Sequence, residues 1–443
     1  MKIVILFNKN ISINKSINIH YTSNVNINDK INNVAYGCAH MAYIDLDFPH
    51  SPVPVAYRKS PTEVFFVWVG YVMVVGVMAV GGGLATQATL EDILLGILLG
   101  NCLLGVFALF SGYVGAHSRQ TFYQLIEGVF SGWSARIIGL YVPIVLICWY
   151  AIESSILGGF IGKVLGFQEL GQSLIMVMVA LLIGSSVYVG FRALKNLSLF
   201  FVPIIFILAI YATFSIGVSS IDLHVSNISQ NGINYVASIV LGTWIMGVLT
   251  NLPDIARFSR STTSGAMAGL AGILIGNSFN LLIGVFAWYF TKQSDPSEIL
   301  ISLGFLPLAL LFAVSNIWTT NDSNMYSATL NLARVLSISR RQAVVLGVSI
   351  GAIGSFFNPA QLSFIFDFVF AMGVTAPALG GVVLGGYVMK EILNHSYINV
   401  VGVWSGLLIG CSVAYMYAGV VGVVSSFFVA WLMMVVVSRI IAK

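Results

Sequence analysis

From Pro61 to the end of the chain, apolar runs of about twenty residues alternate with short polar stretches. The runs fall at 62–86, 91–115, 137–164, 172–190, 197–217, 234–252, 266–290, 302–332, 343–358, 361–388, 398–417 and 420–439. Runs of that length suit helices crossing a hydrocarbon core of about 30 Å. The pattern predicts an all-α integral membrane protein of about twelve transmembrane helices. Two spans carry glycine and proline where a plain helix would not. The first has Gly70, Gly76 and Gly81-Gly82-Gly83; the sixth has Gly242 and Gly247, then Pro253. Both are expected to be broken, because backbone groups freed at membrane depth survive only where they line a cavity or bind something. Broken helices five spans apart point to inverted repeats, with ligand and ion near the midplane. The competing reading of each glycine is close helix packing.

The eighth span interrupts the apolar rhythm most sharply, at Ser315-Asn316-Ile317-Trp318-Thr319-Thr320-Asn321-Asp322-Ser323-Asn324. A charged group inside a spanning helix costs about 2.5–3.5 kcal/mol on insertion scales, so such residues turn toward a partner or a cavity. Asn316, Thr319 and Thr320 stand at i, i+3 and i+4, on one face. Two hydroxyls with carbonyls of an unwound turn make an all-oxygen site for a hard monovalent cation. Asn321, on an adjacent face, offers both donor and acceptor, which is what a nucleobase edge needs. Asp322, and Asp367 further on, either hold a proton or tie helices together.

Composition agrees with the pattern: 58% of residues are hydrophobic, 8% are charged, and 29 Phe and 44 Gly are present. The mean hydropathy is +0.93. The formal net charge of +4 matters less than its distribution. With the N-terminus inside, beside Arg58 and Lys59, the inner segments receive Arg119, Arg136, Arg192, Lys195, Arg257, Arg260, Arg334, Arg340, Arg341, Lys390, Arg439 and Lys443. The outer loops keep Lys163 and Lys292. The positive-inside rule therefore places both termini in the cytoplasm of a plasma (inner) membrane protein, with an even number of spans. Residues 1–40 are rich in Asn, Ile, Lys and Ser, without helical period or the order of a signal peptide, and Met41 opens a stretch like an ordinary cytoplasmic start. They read as a disordered tail or an upstream extension of the reading frame. The expected divisions are a tail at 1–60, a ten-helix core at 61–390 and two further helices at 391–443. Cys38, Cys102, Cys148 and Cys411 are scattered with no metal or redox spacing.

Two tryptophans complete the candidate chemistry. Trp149 and Glu153, at i and i+4 in the third span, share a face about one turn apart. An aromatic plate beside a carboxylate suits a flat heteroaromatic ligand, whose ring stacks while its N–H groups donate. The plainer readings are a core aromatic and an interhelical tie. Trp244, in the interrupted part of the sixth span, is a candidate for the second face of an aromatic sandwich. Asp254, Arg257 and Arg260, just past Pro253, read as a gate or an anchoring ion pair. No catalytic constellation is present, which disfavours an enzyme. A channel would carry a polar stripe through several helices, whereas here polarity gathers at one depth on the first, third, sixth and eighth spans. Nothing implies nucleic acid, and oligomeric state is not legible.

The stretch Asn316-Ile317-Trp318-Thr319-Thr320-Asn321-Asp322 resembles the eighth-helix motif of cytosine permeases, in the nucleobase–cation symporter (purine/cytosine permease) family. Pro52-Val53-Pro54 with Arg58-Lys59, Gly100-Asn101 with Leu103-Leu104-Gly105, and Arg257-Phe258 with Arg260 match in the same order. The resemblance implies a leucine-transporter-like five-plus-five inverted repeat with two extra C-terminal helices, working by alternating access. It places sodium, as coupling ion and with no other cofactor, at the carbonyls of Gly70 and Met73 with Asn316, Thr319 and Thr320. It places a nucleobase between Trp149 and Trp244, with Asn321 reading its edge. A proton in place of sodium, bound at Glu153 or Asp322, is the alternative. The chain departs from cytosine permeases at Leu146, where they carry Gln, and Trp244 comes into register after a one-residue shift. Glu153 falls where other members place an amide. A carboxylate there only accepts, so it favours a ligand edge with two N–H donors, such as cytosine, guanine or an analogue.

Overall fold

The structure is a computed structural model that describes residues 47–215, 232–361, 364–395, 397–417 and 419–442, with the backbone alone at 361 and 364–367. The readings of residues 1–40, of Cys38 and of the Asp367 side chain lie outside the described residues. The chain forms α1 (Pro61–Val72), α2 (Val75–Ala85), α3 (Leu90–Ser118), α4 (Phe122–Val129), α5 (Gly132–Val164), α6 (Glu169–Val189) and α7 (Phe191–Phe214). It continues with α8 (Ile233–Met246), α9 (Leu252–Ala256), α10 (Thr262–Gly272), α11 (Ser278–Thr291), α12 (Pro296–Ser302) and α13 (Leu306–Val335). The last four are α14 (Arg340–Phe356), α15 (Phe364–Tyr387), α16 (Val400–Met416) and α17 (Gly419–Ile441). Among the described residues, eight helical runs are long and apolar enough to cross a membrane, and α1 with α2 makes a ninth. Three more of the expected spans are helical as α13, α14 and α16. The last two have 17 residues each, and α13 is the helix that carries the polar stretch.

The first span breaks, but not at its glycines. α1 starts on a capping box, with the Ser60 N–H donating to Glu63 Oε2 at 2.8 Å and the Glu63 N–H to Ser60 Oγ at 3.3 Å. It ends at Met73 and Val74, which are extended (ψ 95° and 135°), and α2 restarts at an angle of 55°. Gly81 and Gly284 serve close packing instead: a Cβ on either would run into the backbone of the facing helix, at Leu281 and Met78. The sixth span corrects the expectation of a second break. α8 passes into α9 through a π-helical turn, Gly247–Asn251, without leaving helical backbone. Pro253, which has no N–H to donate, follows directly on that turn as the second residue of α9. A second π-helical turn, Ile273–Asn277, joins α10 to α11. α16 and α17 pair with each other and lie against α15, and α5, α7 and α14 surround α13.

At the basic end of the bundle, the segment Asp47–Phe48 is threaded between four helices. The Asp47 carboxylate accepts from the Phe191 N–H at 2.9 Å and the Tyr326 hydroxyl at 3.3 Å, and pairs with Arg340 at 3.0 Å. Arg340 also donates to the carbonyls of Val187 and Tyr188, both at 2.8 Å. Arg257, fully buried, donates to the carbonyls of Phe48 (3.0 Å) and Asp47. Gly190, with φ +92°, is required beside them: a Cβ there would collide with the Asp47 carboxylate. Two of the arginines read from the sequence as topology signals are thus structural, holding a segment upstream of the first span. Asp47→Ala leaves the Arg340 guanidinium buried without its counter-charge, at a cost of about 3 kcal/mol. The purified protein in detergent should then unfold at a lower temperature than wild type. Asp47→Asn, which keeps an acceptor for Phe191 and Tyr326, should recover part of the loss.

Candidate functional site

The end of α1 and the start of α2 expose backbone groups that no helix pairs. In hydrocarbon each costs several kcal/mol unless it finds a partner. One face of α13 partners two of them and the neighbouring Tyr71 side chain, from positions i, i+4 and i+8. Asn316 Oδ1 accepts from the Val75 N–H at 2.7 Å, capping α2. The Thr320 hydroxyl donates to the Met73 carbonyl at 3.2 Å. Asn324 Oδ1 accepts from the Tyr71 hydroxyl at 2.8 Å. From α11, Asn280 Nδ2 donates to the Val72 carbonyl at 2.9 Å. The non-helical crossing at Met73–Val74 is therefore held open by side chains of its neighbours.

The expected cation residues divide accordingly. Met73, Asn316 and Thr320 meet at the break. The Thr319 hydroxyl donates back to the carbonyls of Ser315 and Asn316, both at 3.0 Å, which leaves its lone pairs free to accept. Gly70 lies in the last turn of α1, where a Cβ would stand 2.9 Å from Ser198 Oγ of α7. That hydroxyl is fully buried and has no hydrogen-bond partner. Carbonyl, hydroxyl and amide oxygens gathered without a carboxylate fit a hard monovalent cation.

The ligand residues are arranged less simply. Glu153 is 7% exposed, faces Asn324, and leaves Oε2 without a partner. Asn321 spends its amide donors on the Tyr150 carbonyl (3.1 Å) and Ser154 Oγ (2.9 Å), and its Oδ1 is unpaired. Trp244 packs edge-on against Tyr71, with ring centroids 5.0 Å apart, and its Nε1 is unpaired. Trp149 faces α15 instead, donating to Met372 Sδ at 3.4 Å and lying 5.8 Å from the Phe368 ring. No ring contact among the described residues joins Trp149 to Trp244.

Both further carboxylates are engaged in ties. Asp322 accepts from Ser186 of α6 at 2.9 Å, and the same serine accepts from Trp318. Asp254 accepts from the Phe122 N–H at 2.8 Å and from Asn331 at 3.0 Å, pinning the start of α4 between α9 and α13. Three polar residues escaped the sequence reading: Tyr71, Asn251 and Asn324. Asn251 Nδ2 donates to the Tyr71 hydroxyl, and Thr250 donates to Asn251 Oδ1 at 2.7 Å. Asn324 was findable by extending the Asn316–Thr320 spacing one more turn. Tyr71 and Asn251 look like ordinary core positions until the helices are packed. A cavity of about 510 Å³ reaches the break from the end opposite the buried arginines, lined at its depth by Val75, Ser155 and Ile317 and at its mouth by Lys163, Asp295 and Glu298.

A sequence model of the family described as permease for cytosine/purines, uracil, thiamine and allantoin matches residues 52–438. The chain belongs to this permease family. Cytosine permeases of Escherichia coli strains are 27–28% identical to it over 352 residues, 78% of this chain and 82% of theirs. Among solved structures, the fold is similar to that of Mhp1, a nucleobase-cation-symport family transporter in a closed conformation with bromovinylhydantoin bound. The TM-score is 0.76 at 16% identity, over 89% of this chain and 95% of that one. A Na+-coupled sialic acid symporter is similar at a TM-score of 0.64 and 12% identity, over 87% and 90%. This permease is a multi-span membrane transporter and not an enzyme. Its break predicts a stability effect: Asn316→Ala strands the Val75 N–H and should destabilise by about 1–3 kcal/mol. Thermal unfolding in detergent reads this directly, and a midpoint equal to wild type would mean that Asn316 does not hold the break.

Proposed function

We propose that this permease imports a nucleobase together with sodium, by alternating access across the plasma membrane with both termini cytoplasmic. The observation that carries the reading is the α1–α2 break. Met73, Asn316 and Thr320 meet there, and with Gly70 and Thr319 they make the proposed oxygen-only ion set. On the ligand side, Asn321 belongs to α13, Trp244 meets the Tyr71 ring and Glu153 faces Asn324, each with an unpaired atom. Family membership and the cytosine permease relatives support a nucleobase, and the fold shared with cation-coupled transporters supports a cation. The expected core over 61–390, as two inverted repeats with α16 and α17 outside it, supplies the rocking halves that alternating access needs.

Substrate choice follows from the unpaired atoms. Glu153 Oε2 and Asn321 Oδ1 accept, and Trp244 Nε1 donates. The matching ligand presents two N–H donors and one acceptor on its edge, as guanine does with its amidine-like edge and as cytosine does once N3 is protonated. Trp149 closes the base from the α15 side together with Phe368. Asp322 and Asp254 act as helix ties rather than as ligands.

Reconstituted into liposomes, the protein should accumulate radiolabelled cytosine or guanine from a nucleobase panel when an inward sodium gradient is imposed. Uptake unchanged without sodium, but driven by a pH gradient, would transfer the coupling to protons. Glu153→Gln should lower uptake of bases with a two-donor edge on the order of tenfold relative to uracil, since a charge-assisted bond is worth about 1.5–3 kcal/mol. An unchanged order of preference would remove Glu153 from the reading.

A further inference from the structure

The ion and ligand sets leave one residue between them without a role. Tyr71 is 3% exposed and belongs by its backbone to the last turn of α1, beside Gly70 and two residues before Met73. Its hydroxyl donates to Asn324 Oδ1 and accepts from Asn251 Nδ2. Its ring meets Trp244 edge-on at 5.0 Å and Trp68 at 5.6 Å. Asn324 faces Glu153, and stands one helical turn from Thr320 on the same face of α13. A single side chain therefore touches the aromatic wall of the ligand site and the asparagine that faces its carboxylate. Its backbone forms part of the ion-side turn.

We propose that Tyr71 is the positioning residue through which cation occupancy at the break raises nucleobase affinity. The proposal rests on the sodium-symport reading above. A cation drawn to the Gly70 and Met73 carbonyls fixes the last turn of α1, and with it the direction of the Tyr71 side chain. The Tyr71 hydroxyl then holds the Asn324 amide with its oxygen turned to the phenol and its N–H₂ available to Glu153. With the cation absent the turn is free to shift, and Asn324 and Trp244 lose their common support. Asn251, on the π-helical turn of the sixth span, anchors the hydroxyl from the opposite side. Rearrangement of that turn would release the same contact.

The test measures binding of radiolabelled cytosine to purified protein in saturating sodium and in sodium-free buffer. In wild type, sodium should raise affinity at least about fivefold, the lower range of an allosteric coupling. Tyr71→Phe keeps the ring against Trp244 and removes both hydrogen bonds. It should leave sodium-free affinity within about threefold of wild type and bring the sodium ratio close to one. Asn251→Ser, which leaves Tyr71 in place, should lower the ratio part of the way and serves if the first variant is unstable. A ratio as large as wild type in Tyr71→Phe overturns the proposal. So does an equal loss of affinity with and without sodium, which is what a merely structural tyrosine would give. Wild-type binding indifferent to sodium would sink the symport reading itself, and the proposal with it. That failure shows in the wild-type protein alone.

Discussion

The extended backbone at Met73–Val74 is the constraint on which the rest of the structure depends. A membrane helix satisfies its own polar groups; a broken one transfers that demand to its neighbours. Here the demand is met at successive levels by Asn280, Thr320 and Asn316, with Tyr71 and Asn324 closing the level below. This explains why α13 is so polar along one stretch and why that stretch lies against α1. The polar side chains are the complement of a missing piece of helix. Because carbonyl oxygens are turned out of the helical ladder at the same place, the device that holds the break also gathers oxygen atoms. Structural necessity and the proposed ion chemistry share the same atoms.

The opposite demand is met at the basic end. Arg257 and Arg340 are buried charges, and a buried guanidinium is tolerable only if its donors are nearly all occupied. Backbone carbonyls of Asp47, Phe48, Val187, Tyr188 and Asp254 occupy them, and Asp47 supplies the counter-charge. The Asp47–Phe48 segment is thus built into the bundle rather than appended to it. At this end of the molecule the helices are cross-tied by charge-assisted bonds, while a cavity of about 510 Å³ opens at the other. A transporter that alternates must exchange these two conditions, and the ties at Asp47 are among the contacts that stand in the way.

How much of this was legible in the sequence varied with the kind of interaction. Helix spans follow from length and hydropathy alone, since the bilayer sets both. The Asn316–Thr320 face was legible because helical spacing is local. The place of the break was not. Glycine marks backbone freedom, but at Gly81 and Gly284 that freedom serves close packing, and the break falls on Met73 and Val74, which nothing local disposes to break. Neighbouring side chains impose it. The sixth span failed for a related reason: Gly247 and Pro253 fit a π-helical turn as well as a gap. Trp149 and Glu153 share a helical face, yet the ring turns to α15, a choice made by tertiary packing. Tyr71 and Asn251 were invisible because a hydroxyl or an amide among apolar residues declares nothing until its partner is placed.

One contrast sharpens the reading of the ligand side. Asp254 is as deeply buried as Glu153, but both its oxygens are paired, with the Phe122 N–H and the Asn331 amide of the helices it ties. Asp322 holds Ser186 through one oxygen and leaves Oδ2 unpaired. Glu153 meets Asn324 and keeps an oxygen unpaired, in company with Asn321 Oδ1 and Trp244 Nε1. Leaving buried polar atoms unpaired costs about 1–3 kcal/mol each, more for a charge. A ligand that pairs them recovers that free energy on binding and gains specificity for the pattern of donors and acceptors they display. Asp254 is thus told apart from Glu153 by what remains unsatisfied, not by depth or by distance along the chain.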